Sequence, residues 1–191
     1  STQQRLLAAW LTGRGVDVVT VRDPGGTAIG DRIRAILLDH ASAAMTPACE
    51  TMLYMASRAQ LYGEVIAPAR ARGACVRCDR WVSSTIAYQA AAGMEPARIR
   101  AAYEAALPGV GPDRTFLLDL PAAAGLGRVS GARQHDRLEA RPLAYHRQVR
   151  QGFLAQARAA GGAWIVIDAA ASAAEVQERL RTAVANGAMP A

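Results

Sequence analysis

Residues 16–27 read VDVVTVRDPGGT, and this stretch decides the fold. Its first eight residues are rich in β-branched side chains and predict a strand, which the PGGT turn ends. Three more strands are predicted in ACVRCDR (74–80), RTFLLDL (114–120) and AWIVIDA (163–169). Strands separated by helices of a dozen or more residues pair in parallel through right-handed crossovers. The sequence therefore predicts an α/β fold, a doubly wound parallel sheet with helices on both faces.

Helical patterns fill the intervals between these strands. Thr46 followed by Pro47 is typical of an N-cap and a first helical position, and it opens a long predicted helix. Neither an internal repeat nor a linker divides the chain, so we predict a single domain over residues 1–191. The predicted helices span residues 3–12, 29–38, 47–72, 83–92, 96–106, 140–160 and 173–185.

The charged residues favour an anionic ligand. The net charge is +6, and all 22 cationic residues are Arg because the sequence contains no Lys. Any phosphate contact must therefore come from a planar, permanently charged guanidinium. The arginines are scattered and aromatic residues make up only 5% of the chain, which argues against direct nucleic-acid binding. Neither a secretory signal nor an apolar run of the roughly 20 residues needed to span a membrane is present, so we expect a cytoplasmic protein.

Acidic residues mark the carboxyl ends of the predicted strands, where ligands bind on sheets of this type. Asp168 is interpreted as a helix cap. Asp79 differs because Arg80 follows it directly, and this pair is suited to holding a hydrated metal ion beside a phosphate. Cys75 and Cys78 have the C-x-x-C spacing, but their odd offset on a strand places the thiols on opposite faces, which argues against a zinc or redox site.

Five blocks of this sequence resemble bacterial thymidylate kinase, in the same order and at similar spacing over nearly the whole chain. They read VRDPGGTAIGDRIRAILLD, MLYMASRAQL, CDRWVSSTIAYQ, FLLDLP and DRLEARPLAYHRQVRQGFL. The resemblance implies a P-loop nucleoside monophosphate kinase fold with a lid segment near residues 127–140. It also implies transfer of the γ-phosphoryl group of ATP to dTMP with Mg²⁺, giving dTDP for dTTP synthesis, in a homodimer. The apolar run through Met52 and Met55 is either the dimer face or part of the core.

The same resemblance assigns roles around the nucleotide. Tyr54 is expected to stack on thymine and Arg58 to donate to a thymine carbonyl, while Tyr88 lies against the deoxyribose. Arg34 and Arg80 are expected to clamp the dTMP phosphate through bidentate guanidinium contacts. The full expected substrate-binding set is Arg34, Tyr54, Arg58, Arg80, Ser84, Thr85, Tyr88 and Gln89.

The expected catalytic and cofactor-binding residues lie at the strand ends and in the lid. Asp23 stands where many relatives carry Glu, and Ser130 and Ala132 stand where further lid arginines are expected. The resemblance assigns catalysis to Asp79, Arg80, Arg133 and Arg137, ATP binding to Ser1, Thr2, Arg133 and Arg137, and Mg²⁺ binding to Ser1, Asp79 and Glu139.

The first residues, Ser1, Thr2 and Gln3, align with the end of the phosphate-binding motif G-x-x-x-x-G-K-[ST]. From this we expect that residues 1–191 lack the first strand and the phosphate loop, and that they alone have little or no kinase activity. We also expect one strand position between the strands at 74–80 and 114–120. Two alternatives remain open at this point: another P-loop (deoxy)nucleotide kinase, or a catalytically inactive nucleotide-binding or dimerisation module.

Overall fold

A computed structural model describes residues 2–130 and 135–186. The strands are β1 (Val18–Arg22), β2 (Cys75–Asp79), β3 (Thr115–Asp119) and β4 (Trp164–Asp168). The α-helices are α1 (Thr2–Thr12), α2 (Ala28–Leu38), α3 (Pro47–Leu61), α4 (Ala67–Ala71), α5 (Val82–Ala91), α6 (Pro96–Ala106), α7 (Ala122–Ser130), α8 (Leu143–Ala160) and α9 (Ala173–Ala185). Short 3₁₀ turns occupy His40–Ser42 and Gly161–Ala163.

The strands form two parallel pairs, which confirms the predicted mixed α/β fold with parallel strands. β1 pairs with β2 so that Val18 lies opposite Cys75, and β3 pairs with β4 so that Thr115 lies opposite Trp164. Within the described residues β2 is not hydrogen-bonded to β3.

Helices cover both faces of the β1–β2 pair. On one face, Val21 and Cys78 pack with residues of α3, α5 and α6, including Met55. On the other face, Cys75 packs against the apolar side of α1, where Leu7 is buried. The two cysteines therefore point to opposite faces, as their spacing predicts, and β1–β2 is sandwiched as a doubly wound sheet requires.

The long helix predicted after Thr46 is present, with one irregular turn. The Thr46 hydroxyl accepts a hydrogen bond from the Cys49 N–H at 3.3 Å and caps α3, and Pro47 occupies the first turn. A π-helical turn, Tyr62–Ile66, joins α3 to α4. The predicted single helix over 47–72 is thus continuous in space but is not a regular α-helix throughout.

Two sequence-based expectations about the second half of the chain are wrong. α7 forms immediately after β3, in a stretch for which the sequence pattern predicts no helix. Asp168 does not cap α9, because Ser172 does so in a reciprocal capping box with Glu175. The Asp168 carboxylate instead accepts a hydrogen bond from the Ala170 N–H at 2.9 Å and stabilises the turn that follows β4.

None of the helices in the described part of the chain combines the length and the apolar character that crossing a membrane requires.

Candidate active site

A glycine turn directly after β1 fixes the position of Asp23. Gly25 and Gly26 have φ angles of 114° and 83°, which L-residues with side chains rarely adopt. The Gly25 N–H donates to the Ser57 hydroxyl at 3.1 Å, and the Gly26 N–H donates to Asp31 Oδ1 at 3.1 Å. A Cβ atom on Gly25 would lie 2.6 Å from Asp31 Oδ1, so glycine is the residue that fits here.

Arg58 is buried on α3 and joins β1 to α5. Its side chain is 1% exposed. Its Nε and Nη2 lie 2.7 and 2.6 Å from Asp23 Oδ2, and Nη2 also donates to the Thr85 hydroxyl at 2.8 Å. Among the described residues, the hydrogen-bond partner of its Nη1 is the thioether sulfur of Met55, at 3.2 Å, and a thioether is a weak acceptor. Asp23, Arg58 and Thr85 therefore form one buried hydrogen-bonded unit.

The Asp23 carboxylate is shielded from water, and this shapes its chemistry. Burial raises the pKa of Asp23, while the charge of Arg58 and the hydrogen bond from it act in the opposite direction. Because the guanidinium lies so close, we take the pair to be ionised. The second carboxylate oxygen, Oδ1, is buried without a hydrogen-bond partner among the described residues. Asp23 thus has one oxygen committed to Arg58 and one without a donor.

Two more arginines lie near the ends of β1 and β2. Arg34, half-buried on α2, donates through Nη1 to the Pro24 carbonyl at 3.1 Å. Burial lowers the pKa of Arg34, and the charges of Arg22 and Arg80 lower it further. The positive charges of Arg22 and Arg80 next to Arg34 make this edge attractive to an anion.

Arg80 stands at the end of β2 with an unusual backbone. Its φ angle is 72°, the single positive value at a non-glycine residue in the described ranges. Such a conformation costs on the order of 1–3 kcal/mol and is typical of functional sites. The Arg80 side chain is exposed, and its Cζ lies 5.3 Å from the centroid of the Tyr88 ring. The structure therefore brings Arg34 and Arg80 together at the strand ends, with Arg80 beside an aromatic ring.

Tyr54 and Tyr88 share one apolar cluster with Leu37 and Leu138. Tyr54 is 8% exposed, and burial followed by the nearby charge of Glu50 raises its pKa. The Tyr88 carbonyl accepts a hydrogen bond from the Tyr145 hydroxyl at 2.9 Å. The two expected base- and sugar-contacting rings are therefore neighbours in space, although they lie 34 positions apart in the sequence.

Glu50 is a buried residue of this region that is absent from the set expected from the sequence. Its side chain is 2% exposed and forms an ion pair with Arg137 Nη2. Its other oxygen accepts a hydrogen bond from Gln89 Nε2 at 3.0 Å. Glu50 lies four positions before Tyr54 and eight before Arg58, on the same face of α3. That spacing is the sequence signal that identifies Glu50 as part of the site.

Arg137 lies within the expected lid segment, but its side chain is directed into the protein. It donates to the Leu37 carbonyl from Nε at 3.0 Å and from Nη2 at 2.9 Å, and its backbone N–H lies 3.4 Å from the Leu38 carbonyl. With the Glu50 ion pair, these contacts fasten the turn that contains Arg137 to the C-terminal end of α2. The residue is 7% exposed, so the geometry places it in a buried network and not on an open phosphate-binding surface.

The candidate metal ligands lie at different places. Asp79 ends β2, half-buried, and its carbonyl accepts the Asp23 N–H at 2.9 Å. Glu139 Oε2 accepts a hydrogen bond from the Asp136 N–H at 3.0 Å and closes the turn that carries Arg137. Across residues 2–130 and 135–186, the structure contains no group of three or more His, Cys, Asp or Glu side chains placed to hold a metal. Asp79 is therefore the acidic candidate at the strand edge.

The remaining expected site residues are placed as follows. Thr2 is exposed at the start of α1, and Ser84 is half-buried in the first turn of α5. Ser1 and Arg133 lie outside the described residues.

Known proteins of one family are similar to nearly the whole chain. A protein-family model described as "Thymidylate kinase" matches residues 1–180. The chain is 43% identical over 192 aligned positions to thymidylate kinase of Trichlorobacter lovleyi, covering 96% of this chain and 90% of the relative. It is 41% identical over 181 positions to the Pseudomonas fluorescens thymidylate kinase, with coverage of 94% and 86%. For the Deinococcus radiodurans thymidylate kinase the values are 42% over 185 positions, 96% and 89%.

Proposed function

Because the chain belongs to the thymidylate kinase family, we propose that the edge at which β1 and β2 end is its dTMP site. The activity of the family is phosphorylation of dTMP to dTDP with ATP as the phosphoryl donor. The observation that carries the site assignment is the convergence of Arg34 and Arg80 beside the Tyr54–Tyr88 pair. Guanidinium groups next to aromatic rings match a ligand that combines a phosphate with a planar base.

Arg34 and Arg80 bind the phosphate of dTMP in this proposal. Both are planar fork donors suited to bidentate contacts with phosphate oxygens. The strained backbone of Arg80 supports the assignment, because strain at a non-glycine residue is typically kept where a side chain must point in one direction. Arg80 lies next to Asp79, so the acceptor phosphate is held beside a carboxylate that can orient Mg²⁺.

Tyr54, Arg58, Thr85 and Gln89 surround the thymine base. The Arg58 Nε–H donates to Asp23, and Nη2, which also lies beside Asp23, donates to Thr85. Among the described residues, the hydrogen-bond partner of Nη1 is a thioether, so this nitrogen is the one that donates to a thymine carbonyl. Tyr54 supplies the stacking face, and Tyr88 and Ser84 line the sugar side of the pocket.

Mg²⁺ and the ATP phosphates are proposed to lie against Asp79 and the start of α1, at Thr2. Mg²⁺ typically uses one or two protein carboxylates together with substrate phosphates, so the single carboxylate of Asp79 fits it; Mg²⁺ would neutralise charge that develops on the transferred phosphoryl group. A helix N-terminus such as that of α1 attracts phosphate. Arg137 is assigned to the buried network with Glu50, since its donors are already directed there.

In this mechanism the protein contributes position and charge. Phosphoryl transfer needs little covalent chemistry from the protein, because in-line placement and stabilisation of the phosphoryl oxygens supply most of the rate. Arg80 and Arg34 fix the acceptor phosphate, and the base pocket fixes the other end of the nucleotide. The acceptor oxygen is thereby held at one place and in one orientation.

The alternative of a kinase with a different acceptor is tested by an acceptor panel. We expect dTMP to be phosphorylated with a kcat/KM at least about 10³-fold above those of AMP and dGMP, because a purine would not pair with the buried polar groups of the proposed base pocket in the way thymine does. A coupled ADP-release assay with dTMP, dUMP, dGMP and AMP measures this. Comparable turnover of AMP would contradict the proposal, and dTMP binding without turnover would favour the inactive module.

We also propose that the protein is a homodimer that buries the outer surface of α2 and α3. Ile29, Ile36 and Met52 are exposed apolar side chains on these two packed helices, and Met52 is 56% exposed. Met55, from the same apolar run as Met52, is instead part of the interior. Exposed apolar groups on adjacent helices are typical of a surface that another protein covers.

Met52→Asp tests this interface. Placing a charge within a buried apolar interface leaves the carboxylate without water or a partner, so we expect the variant to be a monomer at concentrations at which the unmodified protein is a dimer. Light scattering coupled to size-exclusion chromatography gives the mass. Thr182→Asp, on the exposed side of α9, is the control and should not change the mass; an unaltered mass for Met52→Asp would contradict this interface.

A further inference from the structure

Glu50 and Arg137 form a buried ion pair that fixes the charge state of Glu50. The Glu50 side chain is 2% exposed and that of Arg137 is 6% exposed. Arginine stays protonated in proteins, and a buried carboxylate in direct contact with a guanidinium is favoured in its ionised form. Glu50 is therefore an anion with two acceptor oxygens, one directed at Arg137 and the other at Gln89.

This anion determines which way the Gln89 amide points. An ionised carboxylate accepts hydrogen bonds and donates none. The Gln89 group 3.0 Å from Glu50 Oε2 must therefore be its NH₂, and the carbonyl oxygen Oε1 must point away from Glu50. Gln89 is completely buried, and Oε1 has no hydrogen-bond partner within the described part of the structure. A buried acceptor without a donor is costly, so Oε1 is an atom that a ligand donor would satisfy.

We propose that Glu50 is a positioning residue that sets Gln89 as an acceptor toward the substrate base, and thereby makes the site select a pyrimidine with N–H at ring position 3. The proposal rests on the function proposed above, in which Gln89 lines the base pocket. Thymine and uracil carry a hydrogen at N3, whereas the N3 of cytosine is an unprotonated acceptor. An amide oxygen facing N3 therefore bonds the first two bases and repels the third.

Glu50→Gln is the decisive variant because the hydrogen bonds among Arg137, residue 50 and Gln89 can then be satisfied in only one arrangement of donors and acceptors. Arg137 only donates, so the carbonyl of the substituted side chain must face it, and the NH₂ of that same side chain must face Gln89. Gln89 then turns its oxygen toward that NH₂ and presents its own NH₂ to the base. The variant is expected to exchange the acceptor at N3 for a donor.

The experiment compares dTMP with 5-methyl-dCMP, which differs from dTMP at N3 and at the C4 substituent. We expect Glu50→Gln to lower the kcat/KM ratio of dTMP to 5-methyl-dCMP by about 10-fold or more, mostly through the KM values. A general loss of activity on both nucleotides, with an unaltered ratio, would overturn the proposal, because a purely structural role lowers both alike. If the unmodified enzyme does not act on dTMP, it is the proposed function that fails.

Glu64→Gln is the matched control. Exposed Glu64 also accepts a hydrogen bond from a glutamine NH₂, that of Gln60, at 2.7 Å, but it lies outside the proposed pocket. This control should keep the ratio of the unmodified enzyme. A fall in the ratio as large as that of Glu50→Gln would overturn the proposal.

A second measurement avoids substitution at position 50 if Glu50→Gln does not fold. The side-chain amide protons of Gln89, observed by NMR in the unmodified enzyme, are expected to be protected from solvent exchange both without and with dTMP, since Glu50 holds them in both states. Loss of their hydrogen bond to Glu50 when dTMP binds would overturn the proposal, because the amide would then have turned its NH₂ toward the base.

Discussion

Arg80→Ala is expected to lower kcat/KM for dTMP by about 10²–10³-fold, the range measured when one preorganised donor to a developing charge is removed. In the proposed site, the variant loses a charge-assisted, bidentate contact to the acceptor phosphate at the end of β2. Steady-state kinetics with dTMP as the varied substrate measure the change. The melting temperature should change little, because the Arg80 side chain is exposed.

Two further variants show that the effect belongs to the guanidinium. Arg80→Lys keeps the charge but not the planar fork, so its activity should lie between those of Arg80→Ala and the unmodified enzyme. Arg70→Ala removes a half-exposed arginine whose carboxylate partner, Asp113, lies 3.8 Å away, and it should retain full activity. Unchanged dTMP affinity and turnover in Arg80→Ala would refute the site proposed for the phosphate.

Asp23→Ala is expected to reduce the free energy of unfolding by about 3–5 kcal/mol, because it leaves the buried Arg58 guanidinium without its counter-charge. The pair is almost inaccessible to water, with each side chain 1% exposed. Urea denaturation of the variant and the unmodified protein gives the difference. We also expect a higher KM for dTMP, since Arg58 loses the partner that would orient its Nη1 toward the base in the proposed site.

The matched control for stability is Asp17→Ala. Asp17 pairs with Arg72 at 3.2 Å, but the two side chains are 59% and 53% exposed. Exposed pairs of this kind contribute about 0–1 kcal/mol, so this variant should be close to the unmodified protein. Equal losses of stability in Asp17→Ala and Asp23→Ala would contradict the importance of burial at Asp23.

The sequence predicts the regular elements of this fold well. Each of the four strands lies within its predicted range, and helix α9 begins and ends at the predicted residues. These elements follow from local signals: β-branched runs, caps and apolar periodicity. Helix α7 is not predicted from the sequence because AAAGLGRVS contains two glycines, which lower intrinsic helix propensity. Its contact with α8 is the kind of tertiary support that overrides this propensity, and it cannot be read from α7 alone.

The sequence predicts which residues of the candidate site share a face of one helix, but it does not predict which residues of different elements contact each other. The four-residue spacing of Tyr54 and Arg58 is enough by itself to place them on one face of α3. It does not show that Arg58 pairs with Asp23, 35 positions earlier, or that Glu50 pairs with Arg137, 87 positions later. Periodicity specifies which residues share a face, whereas buried partners depend on how the elements pack.

The π-helical turn between α3 and α4 explains how one long helix contributes two residues to the same part of the interior. Leu61 and Ile66 are 0% and 7% exposed and belong to one apolar cluster. In an ideal α-helix, residues five positions apart differ by about 140° around the axis. One of the two side chains would therefore point away from this cluster. The wider turn accommodates one additional residue. It therefore changes which side of the helix each of the following residues lies on. A helical wheel drawn from Pro47 is thus accurate through Leu61 and misassigns the buried side of α4.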